Sequence, residues 1–357
     1  MGKSVFVEQL REGQQVEEIF MVSHLAQAET KAGKPYLILT LMDKSGEISC
    51  RVWENAEILA ARAAKGNMVL VRAMAQSFRD ELQLRVDDLQ EVSREDPRVD
   101  LDDYLPSSDQ PVDVMLAELD RLIGSVEDKG ISKLLRRIFQ GPLREDFSRA
   151  PAAKKMHHAY LSGLLEHTLS VAGLADKMAA HYPQLDRDIL LAGALLHDLG
   201  KVREFSYEQP PFDYTDSGRL LGHMLLGSEM VRREGEKVNI LEQERLDQVI
   251  HLILSHHGRH EWGAPILPQT IEAIMLHYLD DMDSKVNYID RLCGELSEPG
   301  MHWTDYQRPL ERYLYLRKPD AEEEQRRDAQ RIEQGDKKAA GSKKKKNIQD
   351  SPQRTLF

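Results

Sequence analysis

The rhythm of apolar positions changes once along the chain. Through residue 92 apolar side chains tend to alternate with polar ones in short runs; from Val112 onward they return every third or fourth position. In the first part, residues 16–28 mix apolar and polar side chains, and Lys31-Ala32-Gly33-Lys34-Pro35 is a turn signal. Residues 36–42 read as a strand, and in 47–53 Ile48, Cys50 and Val52 alternate with more polar neighbours. The alanine-rich segment 54–64 predicts a short helix ended by Lys65-Gly66-Asn67. Two further strands, 68–78 and 82–92, flank the polar pair Arg79-Asp80. The second part predicts helices over 112–123, 131–139, 156–182, 189–197, 220–233, 246–257 and 271–289, with no strand pattern between them.

Three strands, a helix and two strands is the order of an OB-fold, a small barrel that often binds oligonucleotides. Tyr36, Trp53 and Phe78 are candidates for stacking on bases; filling the barrel core is the competing reading for each. Charge does not decide between them, because residues 1–93 hold 11 Lys and Arg against 14 Asp and Glu. The acidic stretch 94–110, with Pro97 and Pro106, reads as a linker. The expected organisation is therefore multidomain: an all-β OB-fold barrel over 1–93, a linker over 94–110, an all-α domain over 111–318 and a disordered charged tail over 319–357.

The totals narrow the setting. A net charge of −12 argues against non-specific coating of nucleic acid but leaves room for a local cationic groove. Two distant cysteines make neither a disulfide framework nor a thiolate metal site. The N-terminus lacks the apolar core of a signal peptide, and no segment has the roughly 18 consecutive apolar residues of a membrane span. A cytoplasmic protein is expected, with no membrane partner; self-association is left open.

The chemistry is concentrated in the helical part. Leu195-Leu196-His197-Asp198-Leu199-Gly200-Lys201 closes an apolar run with an adjacent His-Asp pair. His197 stands four residues after Gly193 and eight after Ile189, on the inward face. His167 lies three residues after Leu164 and four before Val171, and Asp280 follows Leu276 and Ala273 at four and seven residues. His256 follows Leu252 and Val249 at the same intervals, while its neighbour His257 has apolar partners in Ile250 and Ile253, so either can face inward. His223 is embedded in Leu220-Leu221-Gly222-His223-Met224-Leu225-Leu226. A lone buried histidine is usually a satisfied core residue, and an unpaired carboxylate on an apolar helix face is costly. Several such positions on separate helices instead suit a metal site that compensates Asp198 and Asp280 together.

The strings Gly163-Leu164-Leu165-Glu166-His167-Thr168, Leu196-His197-Asp198-Leu199-Gly200-Lys201 and Ser255-His256-His257-Gly258 resemble the HD superfamily of metal-dependent phosphohydrolases. A barrel ahead of such a domain resembles the YhaM-type 3′–5′ exoribonuclease family, over residues 10–315. The resemblance implies one metal on His167, His197, Asp198 and Asp280, and a second on His223 and His256, with Asp198 as bridge. It also implies manganese, although iron, cobalt, nickel, zinc or magnesium fit a mixed N/O site. Two ions sharing a carboxylate can activate water and stabilise a phosphoryl group under in-line attack, releasing nucleoside monophosphates. Lys201, and in the same way Lys285, would neutralise a phosphate oxygen or remain a solvated helix-end charge. Asp283 would back a ligand or be a surface charge, and His157 and His158 would touch substrate or support a ligand, unless they form an exposed helix start.

Single-stranded RNA, and DNA beside it, is the expected substrate, with the 3′ polarity carried by the family alone. Two other readings are an HD-type nucleotidase or small phosphodiesterase, and a nucleic-acid-binding protein with a structural metal. The chain closes on Gln353-Arg354-Thr355-Leu356-Phe357, which resembles the Gln-x-x-Leu-Phe peptide that docks on bacterial sliding clamps. Gln353, Leu356 and Phe357 would be its contacts; the preceding Lys343-Lys344-Lys345-Lys346 block would attract nucleic acid directly.

Overall fold

The computed structural model describes residues 3–320 apart from 31, 79, 80, 101, 102, 106, 109, 154–157, 159 and 208–211, together with residue 323. The chain divides into a unit spanning Met1–Ser284 and one spanning Lys285–Phe357.

The first unit begins with β1 (Gln15–Glu29), β2 (Pro35–Asp43), β3 (Gly46–Val52), α1 (Ala56–Ala60), β4 (Met68–Phe78) and β5 (Glu81–Val92). The strands close in the order β1-β2-β3-β5-β4, all antiparallel except β3 on β5, which is the barrel expected from the sequence. Alternation explains the closure: Ile48, Cys50 and Val52 of β3 point inward, packing with Phe20, Leu39, Val71 and Leu84, while Ser49 and Arg51 point away. β1 bends through a bulge between Val22 and His24, which helps a long strand pair with β2 over one half and β4 over the other.

The segment after the barrel is held in place. Tyr104 and Leu105 are buried with Ile19, Met21, Met42 and Met68, Leu161 packs against the same cluster, and the Ser108 amide donates to Leu161 O at 3.0 Å.

The helices are α2 (Val112–Gly124), α3 (Lys129–Ile138), α4 (Pro142–Arg149), α5 (Gly163–His181), α6 (Arg187–Leu196), α7 (Lys201–Glu204), α8 (Asp216–Gly235), α9 (Gln243–Ser255) and α10 (Ile271–Glu295). α6 is the centre: every residue from Ile189 to Leu196 is buried, so it is apolar all round rather than amphipathic. Asp186 caps it by accepting from the Asp188 and Ile189 amides, both at 3.1 Å. Two expectations are corrected. The second part is not free of strands, because β6 (Phe205–Ser206) pairs with β7 (Asp213–Tyr214), and in the second unit β8 (Gly300–Trp303) pairs with β9 (Tyr315–Lys318). These strands are too short to show a period in sequence. The helix expected from residue 156 starts only at Gly163, after His158 and Ser162 adopt left-handed backbone with φ of 47° and 63°. Among the described residues no helix is long and apolar enough to cross a membrane.

Tyr104→Ala, emptying a site where buried aromatics typically contribute about 3–5 kcal/mol, should open segment 94–110 to limited proteolysis. Cleavage there at the parental rate would show that the ring does not hold it.

Candidate metal centre

Five elements bring the candidate ligands to one point. α5 carries His167, fully buried. α6 ends at Leu196, so His197 and Asp198 fall just beyond its last turn, and α10 supplies Asp280. His167 Nε2 lies 3.2 Å from both His197 Nε2 and Asp280 Oδ1, and 3.5 Å from Asp198 Oδ2. His197 Nε2 is 3.4 Å from the same Asp198 oxygen. Four donor atoms at these separations surround a space of metal-ion size.

The other oxygen of Asp198 faces a second group. His223 Nε2 lies 3.4 Å and His256 Nε2 3.7 Å from Asp198 Oδ1. The ligand atoms of His223, His256 and His257 lie within 4.8 Å of one another. Both members of the His256-His257 pair therefore turn toward this group; His256 is buried and His257 is half-buried.

Local structure explains the convergence. α7 and α8 approach so closely that a Cβ on Gly200 would come within 1.9 Å of His223 O. α8 is broken at Gly222, whose φ of 73° is open to glycine. The break leaves the His223 amide to donate to Glu204 Oε1 at 3.0 Å. α9 stops at Ser255, and Gly258, at φ 75°, reverses the chain where a side chain would strike the His277 ring.

Each imidazole is oriented from behind. Nδ1–H of His197 donates to Ala194 O at 2.9 Å and that of His256 to Ile253 O at 2.8 Å. His167 donates to Asp283 Oδ2 at 2.8 Å, His223 to Glu204 Oε1 at 3.1 Å, and His257 to Trp262 O at 2.7 Å. With Nδ1 so engaged, Nε2 is the ring atom aimed inward, and it offers a lone pair wherever the ring is neutral. Ser170 in turn donates to Asp283. A further chain runs outward: His158 Nδ1 donates to the Tyr160 hydroxyl at 2.8 Å, which donates to Glu166 Oε2 at 3.0 Å, and His158 Nε2 lies 3.4 Å from Asp283 Oδ2.

The electrostatics are those of a cation site. Burial opposes the charged form of Asp198, which is only 2% exposed, yet Lys201 and the surrounding imidazoles hold its carboxyl far below the usual range. Lys201 Nζ is 2.6 Å from Asp198 Oδ2; burial lowers its pKa, but the carboxylate outweighs burial and raises it. Burial also pulls His167 down, and hydrogen bonds to Asp280 and Asp283 overcome it and lift its pKa to about 9. In His256 burial prevails and drives the pKa well below normal. Asp198 Oδ1, His223 Nε2 and His256 Nε2 are buried without a hydrogen-bond partner. Three inward-facing acceptors of that kind fit a divalent ion, and only poorly anything else.

Sequence reasoning missed Glu204, Tyr160, Glu166 and Ser170. Glu204 follows Lys201 by three residues in a short charged helix, and nothing in the pattern singles it out. Lys285 is exposed on α10, and His157 lies outside the described residues. In the barrel, Trp53 is 41% and Phe78 57% exposed, and Tyr36 stacks on Trp53 with ring centroids 4.7 Å apart, so none of the three is a fully buried core residue. A cleft of about 210 Å³ lies beside Tyr36, lined also by Gln27, Glu29 and Glu57.

Comparison with known proteins agrees with both parts. The family model described as HD domain matches residues 164–285, and that described as OB-fold nucleic acid binding domain matches residues 21–92. The 3′-5′ exoribonuclease YhaM of Bacillus subtilis is 35% identical over 300 residues, covering 84% of this chain and 93% of that protein. Its namesakes in Bacillus velezensis and Bacillus licheniformis are 35% and 34% identical over the same coverage.

A cation that takes the Nε2 lone pair of His167 must expel its proton. Metal affinity should therefore rise about tenfold per pH unit, as for any single-proton competition, levelling off as pH passes about 9. Calorimetric titration with Mn2+ between neutral and alkaline pH checks this; a flat profile would show that no proton of raised pKa competes with the cation at His167.

Proposed function

The chain belongs to the YhaM family of 3′–5′ exoribonucleases, and on that premise we propose which of its own residues carry the reaction. It is a metal-dependent hydrolase that shortens RNA from the 3′ end. In our reading His167, His197, Asp198 and Asp280 hold one divalent cation, and His223 and His256 hold a second, with Asp198 shared and His257 alongside. The observation that carries this is one buried carboxylate whose two oxygens face two separate groups of imidazoles. Manganese is the proposed metal. Bound divalent cations supply Lewis acidity toward a phosphoryl oxygen and an activated water near neutral pH.

The protein's own groups do the rest. Asp283 and Glu204 fix the His167 and His223 rings, and the Ala194 and Ile253 carbonyls fix those of His197 and His256. Lys201 holds positive charge beside Asp198, where it can neutralise a non-bridging phosphate oxygen. His158 stands behind Asp283, its Nε2 3.4 Å from Asp283 Oδ2. Tyr36, Trp53 and Phe78 offer ring faces to unpaired bases, a mode of binding that tolerates any sequence and extends to DNA. The proposed setting is the cytoplasm. The sliding-clamp reading of Gln353, Leu356 and Phe357 rests on sequence alone, since these residues lie outside the described ones.

Asp198→Ala should abolish hydrolysis of end-labelled RNA while leaving strand binding largely intact; retained turnover would remove the metal reading. Glu204→Gln should weaken Mn2+ binding roughly 10- to 100-fold, and unchanged affinity would show that the His223 ring needs no such support. Trp53→Ala should weaken RNA binding by about 1–3 kcal/mol, and an unaltered Kd would exclude that ring as a platform.

A further inference from the structure

The second unit ends its described part in a two-stranded ribbon whose side chains alternate strictly. On β8 and β9, Gly300, His302, Leu316 and Lys318 are half-buried, whereas Met301, Trp303, Tyr315 and Arg317 are exposed. Trp303 pairs with Tyr315 and Met301 with Arg317 across the strands, so these four side chains share one face. Trp303 is 68% exposed, and its ring lies 4.9 Å from that of Tyr315. Toward the turn, Tyr306 and Tyr313 form a second ring pair at 5.3 Å, and Tyr313 is 61% exposed. The ribbon is fastened by its ends, through Tyr288 OH donating to Gln307 at 2.6 Å and Lys318 Nζ donating to Leu296 O at 2.6 Å.

Four large rings left in water on a two-stranded ribbon have no role in a core, and contiguous exposed apolar patches usually receive something. Charge selects what. Residues 300–318 hold Arg308, Arg312, Arg317 and Lys318 against Asp305 and Glu311, so basic side chains lie among the exposed rings. Arg308 and Arg312 are exposed at the turn beside the second ring pair, while Arg317 is paired with Glu323 at 2.8 Å. Arg308 and Arg312 form no ion pair among the described residues, so their charge is open to an incoming anion. A polyanion with flat bases meets opposite charge and ring faces together.

We propose that the β8–β9 ribbon is a second binding surface for single-stranded RNA, separate from the barrel, on which Trp303 and Tyr315 stack bases while Arg308 and Arg312 contact phosphates. This rests on the exoribonuclease reading only in taking RNA as the polymer. Aromatic stacking tolerates every base, so the surface grips the strand without reading its sequence.

The test uses the full chain with its metal and a fluorescent phosphorothioate oligoadenylate, which is bound but resists hydrolysis, titrated over a range of KCl concentrations. Trp303→Ala/Tyr315→Ala should weaken binding by roughly 5- to 100-fold. Arg308→Glu/Arg312→Glu should flatten the slope of log Kd against log salt by at least about 1.4, from ~0.7 per lost phosphate contact. Both variants should hydrolyse bis(p-nitrophenyl) phosphate at the parental rate. If the aromatic variant does not fold, the arginine variant, which alters only exposed side chains, decides alone. Parental Kd and salt slope in the folded variants would overturn the proposal. So would dissociation of an oligomer by the aromatic variant with RNA affinity per chain unchanged, since the face would then belong to a second copy. A parent chain that binds RNA through the ribbon but never shortens it would sink the exoribonuclease reading and leave the ribbon's role standing.

Discussion

Burying the Asp198 carboxylate is the constraint around which the helical part is arranged. An uncompensated carboxylate loses several kcal/mol when it leaves water, and this one sits at the meeting of α5, α6, α7, α8 and the end of α9 with almost no solvent contact. Lys201 answers part of its charge on one oxygen. The other oxygen faces His223 and His256, neither of which gives it a hydrogen bond. A fold that keeps such a group must be able to place positive charge beside it. The close contact of α7 with α8 at Gly200 and the break of α8 at Gly222 bring His223 within reach of that second oxygen.

Much of this was legible in sequence because it is periodic. The strand boundaries from 36 to 92 and the helices over 112–123, 189–197 and 246–257 follow from alternation and from three- and four-residue spacing, signals that the barrel and α6 express strongly. The phase of the same spacing turned His167, His197 and Asp280 inward. What escaped lacked a period: the two-residue strands β6 and β7, the late start of α5, and Glu204, whose role depends on a break in another helix. The choice between His256 and His257 could not be made by spacing, because the chain leaves α9 at Ser255 and both rings can then turn the same way. Trp53 and Phe78 were ambiguous because an aromatic at a strand end suits either the core or the surface, and only closure of the barrel decides.

The barrel and the helical part are joined by more than a tether. A stretch that composition marks as a linker is packed against the barrel through Tyr104 and Leu105, and it meets the chain again at Leu161, two residues before α5 begins. The helix that carries His167 thus starts next to the element that fixes the barrel.

The supports behind the imidazoles are of two kinds. His167 and His223 lean on carboxylates, Asp283 and Glu204, whereas His197 and His256 lean on main-chain carbonyls left over at the ends of α6 and α9. A carboxylate can be lost by one codon change; a carbonyl belongs to every residue and cannot. Sequence drift at Ala194 and Ile253, both fully buried, is therefore limited by volume and polarity and not by any side-chain hydrogen bond, and half of the scaffold behind these four rings is encoded in helix length rather than in residue identity.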